Sequence, residues 1–405
     1  MNKIYIPRNI ENTLKEFVRE FPAVALSGPR QAGKSTLLSK LFGDTHNIIS
    51  FDDPLTRERA LSDPYLFLET AGTRVIFDEI QYVPEILPYI KILIDKDRNN
   101  RGRFIMTGSS QFNLMKNLTE TLAGRIGILT LLPFAESEKE TISELRDKLT
   151  TTKDQFINSS IRGSFPEISL HPEINANHWY ANYLSTYLER DIRSLYNIGS
   201  LREFQRFLQV LASRCSQILN LSSLANDLGV AVNTIKKWVS VLEASQIIYI
   251  LPPYFQNFGK RLTKSPKVYF LDCGLVCYLV GLKEEEHLLK GPMAGALFEN
   301  YCIQETVKSF FNQGLRPNIF YLRTHNGLEI DLLIEKDNLL YPFEIKMTKT
   351  LTMKMATSIE RFKRLFSNLS IKEGKIISFN EEEIPLSRDV CSQSMNSYLK
   401  WLQGL

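Results

Sequence analysis

The 405-residue sequence lacks paired cysteines: its five, Cys215, Cys273, Cys277, Cys302 and Cys391, form no C-x-x-C pair. An odd, scattered set argues against a disulfide framework or a zinc ribbon and fits reduced thiols in a cytoplasmic protein. There is no stretch of 18 or more apolar residues, so no membrane span is expected. The opening MNKIYIPRNI has no apolar core of signal-peptide length, so no leader is expected. Internal repeats and low-complexity tracts are lacking too. So is a strong charge of either sign: 49 Lys and Arg face 45 Asp and Glu, a formal +4. That mild excess identifies no partner, and only the placement of the charges can.

What is present suits a globular chain too long for one ordinary core. Its hydrophobic content of 43% and charged content of 23% place it in the soluble globular class. The stretch GPRQAGKST, residues 28–36, follows the apolar AVALS and precedes the helical KSTLLSKLF. Strand, G-x-x-x-x-G-K-[ST] and helix is the context a phosphate-binding loop requires. Gly28 and Gly33 let the backbone close around phosphates, and Pro29, Arg30, Gln31 and Ala32 complete the loop. The helix starting there points its free amides and positive dipole end at the anion. Lys34 is expected to reach the β- and γ-phosphates of ATP. Ser35 is expected to ligate Mg2+, with Thr36 behind it.

A nucleotide hydrolase also needs acids at a strand end. RVIFDEI, residues 74–80, supplies Asp78 for magnesium and Glu79 to orient the attacking water. RFIMTGSSQF (103–112) reads as a further strand, with Ser109 and Ser110 as candidate γ-phosphate sensors. Arg125, before the strand in LAGRIGILTLLPF, is a candidate charge-stabilising arginine. Strands alternating with helices predict a parallel sheet covered on both faces.

Together GPRQAGKST, VIFDEIQYVPE, FIMTGSS and LAGRIGILTLLPF resemble the prokaryotic AAA-type ATPases of the archaeal-ATPase kind. GSFPE (163–167), YLERDI (187–192), the stretch 251–275 and ALFENY (296–301) resemble the C-terminal domain of unknown function, DUF4143 type, that this family carries. The resemblance implies an ATP-binding protein with a winged helix and a nuclease-like fold, and leaves the biological process open.

In the middle, Leu224, Ala225 and Leu228 mark one helix, Gly229 breaks it, and Ile235, Trp238, Val239 and Leu242 mark a second before the strand IIYIL. That order predicts a winged helix-turn-helix at about 216–258. Asn233, Thr234, Lys236 and Lys237 would face solvent or DNA, with Lys260, Arg261, Lys264 and Lys267 as a nearby phosphate clamp. The other reading is a module that packs only against protein.

Further on, the period becomes two. LEIDLLIE (328–335) and PFEIKM (342–347), joined by KDN, predict a hairpin with Asp331, Glu344 and Lys346 converging on one face, beside Glu329. Glu299 lies on the preceding amphipathic helix. The set resembles the PD-(D/E)xK nucleases, in which carboxylates bind a magnesium ion and the lysine positions the nucleophile. Asp331, Glu344 and Glu299 are the candidate ligands. A solvated hairpin, or a nuclease fold without activity, shows the same alternation.

The sequence therefore predicts an α/β protein in three parts. These are a parallel-sheet P-loop ATPase domain at 1–150, a helical and winged-helix middle at 151–258, and a C-terminal α/β restriction-endonuclease-like domain at 259–405. The expected activity is slow, Mg2+-dependent ATP hydrolysis. Its rivals are an ATP-gated DNA nuclease, and a non-cleaving switch that binds DNA or protein. DNA is a candidate partner, a homo-oligomer is a candidate state, and no membrane is expected.

Overall fold

The computed structural model describes residues 5–108, 120–144, 151–187, 201–255 and 265–404. The chain opens with α1 (Glu11–Glu20), β1 (Ala23–Ser27), α2 (Lys34–Phe42) and β2 (Asn47–Ser50). Next come α3 (Pro54–Ser62), α4 (Pro64–Thr70), β3 (Val75–Asp78) and α5 (Leu87–Lys96). This part closes with β4 (Phe104–Gly108), β5 (Ile126–Thr130) and α6 (Glu136–Glu144). The five strands form a parallel sheet in the order β2-β3-β4-β1-β5.

The apolar run of β1 reflects burial on both faces. Ala23 and Ala25 pack with Phe77, Ile90 and Met106 on one side. Val24 and Leu26 pack with Leu14, Leu37 and Leu38 on the other. Local signals place the helices. Asp53, for example, caps α3 by accepting from the Leu55 and Thr56 amides, and Pro54 follows at the first helical position.

The middle is mainly helical: α7 (Thr152–Ile161), α8 (Pro166–Leu170), α9 (Ala176–Tyr187) and α10 (Leu201–Ser213). Then α11 (Leu221–Leu228) and α12 (Val232–Ala244) lead into an antiparallel hairpin of β6 (Ile248–Leu251) and β7 (Lys267–Phe270). Gly229 ends α11 at φ +69°, a left-handed conformation that costs glycine little. Trp238 of α12 packs on Phe204 and Phe207 of α10, which ties the helix pair to the bundle. The hairpin bridges the division expected at 258/259, because β6 and β7 are partners. Helices α13 (Cys273–Val280) and α14 (Glu285–Lys290) complete this region.

The last part starts with α15 (Ala294–Asn312), followed by β8 (Ile319–Arg323), β9 (Glu329–Lys336) and β10 (Leu339–Lys346). Then come α16 (Thr357–Leu365), β11 (Gly374–Ser378), β12 (Pro385–Ser387), β13 (Val390–Ser394) and α17 (Met395–Gln403). Its six-stranded sheet runs β12-β13-β11-β10-β9-β8 and is mixed: β10–β11 and β11–β13 are parallel, the other pairs antiparallel.

Helix α15 holds the parts together. Phe298, Tyr301, Ile303 and Val307 share one core with Phe156 of α7 and Phe343 of β10. Toward the first sheet, Glu305 accepts the Glu136 amide at 2.7 Å, and the Lys308 ammonium donates to the Phe134 carbonyl at 2.9 Å. Lys308 and Glu305 are also ion-paired at 2.7 Å with side chains 1% and 0% exposed. Among the described residues no helix is long and apolar enough to cross a membrane. All five cysteines are free and buried.

Candidate functional site

The loop expected to hold phosphates leaves the carboxyl end of β1 and enters α2, whose first residue is Lys34. Gly28 has φ +146°, and a Cβ there would stand 2.0 Å from the Leu131 carbonyl oxygen, so the turn admits no side chain. Lys34 is buried and donates to the carbonyls of Gly28 and Pro29, each at 2.8 Å. These contacts fold the ammonium back over the loop that it would hand to an anion.

β3 ends at Asp78, two strands away from β1 in the sheet. The Ser35 hydroxyl donates to Asp78 at 2.9 Å to one carboxylate oxygen and 3.1 Å to the other. Glu79 follows at φ +57°, a left-handed conformation unusual for a residue with a side chain and of the kind that clusters at functional sites. A cavity of about 440 Å³ opens here, lined by Arg30, Gln31, Gly33, Lys34, Ser35, Thr36 and Glu79. Tyr183 and Thr186 of α9 line it too, so the helical middle supplies a wall. Ser109 and Ser110 lie outside the described residues. Besides Ser35, the hydroxyl of Thr107 in β4 donates to Asp78, and it accepts the Glu79 amide.

Arg125 is not brought to this site. It immediately precedes β5, which runs parallel to β1 in the register Ala23↔Ile126 to Ser27↔Thr130. That leaves it at the start of the sheet, whereas the loop leaves the far end, roughly five residues or 16 Å away. There its guanidinium grips both carboxylate oxygens of Asp95, at 2.7 and 2.8 Å. The ion pair holds Asp95 below the usual carboxylate range.

Sequence reasoning also missed Arg8. Its guanidinium donates to the Ala32 carbonyl at 2.9 Å and the Leu132 carbonyl at 2.7 Å, and pairs with Glu138 at 3.1 Å. A buried arginine thus ties the phosphate loop to the segment leading into α6.

A second cluster lies in the C-terminal sheet. β9 and β10 pair antiparallel around the turn Asp337-Asn338. Lys346 pairs with Asp331 at 3.2 Å and with Glu344 at 2.6 Å. Burial, then the charge of Asp331, pushes the Glu344 carboxyl up to about 8 against the pull of Lys346. Burial alone would lower Lys346, but Asp331 and Glu344 outweigh it and hold the ammonium above its ordinary value. Glu344 is 4% exposed, and its Oε1 has no hydrogen-bond donor among the described residues.

Glu299 of α15 borders the same cluster and accepts from the Tyr269 hydroxyl at 2.5 Å and from Lys267 at 3.0 Å. Lys267 also pairs with Glu329 at 3.1 Å, so it is a buried partner of acids and not part of a surface clamp. Lys260, Arg261 and Lys264 lie outside the described residues. Two lysines stand among these acids. Among the described residues no group of three or more His, Cys, Asp or Glu side chains is set to hold a metal ion as it stands. On α12, Asn233, Lys236 and Lys237 are exposed and Thr234 is half-buried.

Residues 20–139 match the family described as AAA domain, and residues 294–398 match the domain of unknown function DUF4143. Residues 153–286 match a further domain of unknown function, DUF8612. An uncharacterized protein of Mycobacterium tuberculosis is 30% identical over 388 residues, 95% of this chain and 82% of that protein. The chain belongs to the family of AAA-type ATP-binding proteins with a C-terminal DUF4143 domain. An uncharacterized protein of Methanocaldococcus jannaschii is 26% identical, covering 66% of this chain and 63% of that protein. Among solved structures, a Walker-type ATPase of Pyrococcus abyssi is similar with a TM-score of 0.46 and 15% identity, covering 69% of this chain and 97% of that one.

Proposed function

We propose that this AAA-family protein binds ATP with magnesium at Gly28–Thr36 and hydrolyses it slowly. The hydroxyl–carboxylate contact between Ser35 and Asp78 beside the cavity carries this reading. Two hard oxygen donors held together at the mouth of a phosphate loop suit a magnesium ion. Bound there, the ion would offset charge on the β- and γ-phosphates. Lys34 would exchange its two loop carbonyls for phosphate oxygens. The amides at the start of α2 would bind the β-phosphate, and Glu79 would hold and polarise the attacking water. Pro29, Arg30, Gln31 and Ala32 would supply loop backbone. Calorimetric titration with ATP and magnesium tests the site: much weaker binding in Lys34→Ala than in the wild type is expected, and equal binding by both would refute it.

The distal parts are proposed to respond to nucleotide. Helix α9 lines the cavity, and α15 joins the first sheet to the C-terminal acids. The pair α11–α12 with the β6–β7 hairpin has the element order of a winged helix, and the exposed Lys236 and Lys237 suit DNA phosphates.

A second reading is metal-dependent cleavage of DNA at the C-terminal cluster, which has the element order of a nuclease-like domain. The buried Glu344 Oε1 beside Asp331, with no hydrogen-bond donor among the described residues, favours it, because such an oxygen would accept a cation. Asp331 and Glu344 would hold a magnesium ion with Glu299 in support. The ion would polarise the phosphate, and Lys346 would orient the nucleophile. A DNA cleavage assay with manganese separates the readings: loss of cleavage in Asp331→Ala and Lys346→Ala supports the second.

A further inference from the structure

Lys267 opens β7 in the middle region, yet its side chain is 5% exposed and ends among acids of the C-terminal region. Its ammonium lies 3.0 Å from Glu299 and 3.1 Å from Glu329. A buried ammonium costs several kcal/mol unless it is closely paired, and two carboxylates meet that need. One wall of the cluster is thus compensated by a lysine from another part of the chain. The opposite wall is built differently. Asp331 and Glu344 share Lys346, and Glu344 keeps one oxygen buried with no hydrogen-bond donor among the described residues. Among the described residues, the cations paired with Glu299, Glu329, Asp331 and Glu344 are Lys267 and Lys346, so four carboxyl groups meet two ammonium groups.

We propose that Lys267 is a built-in second cation: it fills the Glu299–Glu329 side of the cluster, so the cluster takes a single divalent ion at the Asp331–Glu344 side. Two-metal phosphodiester sites place two ions about 4 Å apart; here a lysine stands for one of them. The inference rests on the reading of this cluster as a metal site. It makes the β6–β7 hairpin part of that site, so displacement of the hairpin would change the charge the site presents to a phosphate.

The test counts Mn2+ bound to the full-length, nucleotide-free protein by loss of the free-ion paramagnetic signal, above the number bound by Asp331→Asn. One ion is expected in the wild type, two in Lys267→Gln and one in Lys267→Arg. Circular dichroism checks each fold. Glu329→Gln, whose side chain is 39% exposed in the wild type, is expected to keep one ion. Two ions in the wild type overturn the proposal, as does a folded Lys267→Gln that still binds one. Loss of the ion in Glu329→Gln overturns it too, and does so even if Lys267→Gln fails to fold. No ion in the wild type overturns the metal reading itself.

Discussion

The Arg8 guanidinium donates to the carbonyl of Ala32 at 2.9 Å, so a residue ahead of α1 is bonded to the middle of the phosphate loop. The same group pairs with Glu138, with side chains 4% and 1% exposed. Replacing Arg8 with Met would leave that carboxylate buried without its cation, at a cost of about 3–5 kcal/mol. Urea unfolding of Arg8→Met should show a midpoint lowered accordingly. An unchanged midpoint would mean that water reaches Glu138.

Lys34 and Glu79 line one cavity, and the proposed reading of the site gives them separable roles. Lys34→Ala removes a charged contact to phosphate worth up to about 3 kcal/mol, so ATP affinity should fall by roughly 100-fold. Glu79→Gln should bind ATP nearly as well as the wild type and hydrolyse it about 10²–10⁴-fold more slowly. Single-turnover hydrolysis alongside calorimetry distinguishes them. Loss of binding in Glu79→Gln would assign that residue to the nucleotide contact.

His46 sets an acid limit on stability. Burial, and then the charge of Arg74, hold its imidazole below the ordinary 6.5 despite a hydrogen bond to the Gly102 carbonyl. A histidine depressed in the folded state contributes stability above its unfolded pKa, and this is lost as pH falls through the folded value. Melting temperature should therefore drop below about pH 6.5, and His46→Gln should flatten that limb. The comparison is a thermal series between pH 5 and 8.

Lys236 and Lys237 are exposed on α12. If α12 meets DNA, the double alanine variant should weaken binding across all sequences and reduce the slope of log K against log salt by about 2. Fluorescence anisotropy at several salt concentrations measures it. A slope equal to that of the wild type would remove DNA from this face.

The loop and the acid that the structure sets beside it are legible in the sequence because their signals are local. Gly28 to Thr36 are contiguous, and Asp78 ends an apolar strand, so spacing alone exposes both. Arg125 was misplaced because proximity to a strand does not say which end of the sheet a residue occupies. In a parallel sheet, residues before a strand lie on the edge opposite the loop. Ser109 and Ser110 lie outside the described residues, while the contact of Thr107 with Asp78 had its signal in a hydroxyl within the apolar FIMTG. Arg8 and Lys267 left no trace in the sequence: each acts over a long separation, and Lys267 follows a basic stretch that reads as solvated. The β9–β10 pairing was legible from its alternation, but which cations stand among its acids was not.

The seam between Phe134, Glu136, Glu305 and Lys308 has a practical consequence. An excised fragment ending after α6 would show water a face built to receive α15. The complementary fragment would expose an ionic pair that has never had to be soluble. Expression of either half alone should give aggregates, and an obligate tether of this kind leaves little room for the two ends to be inherited or exchanged separately.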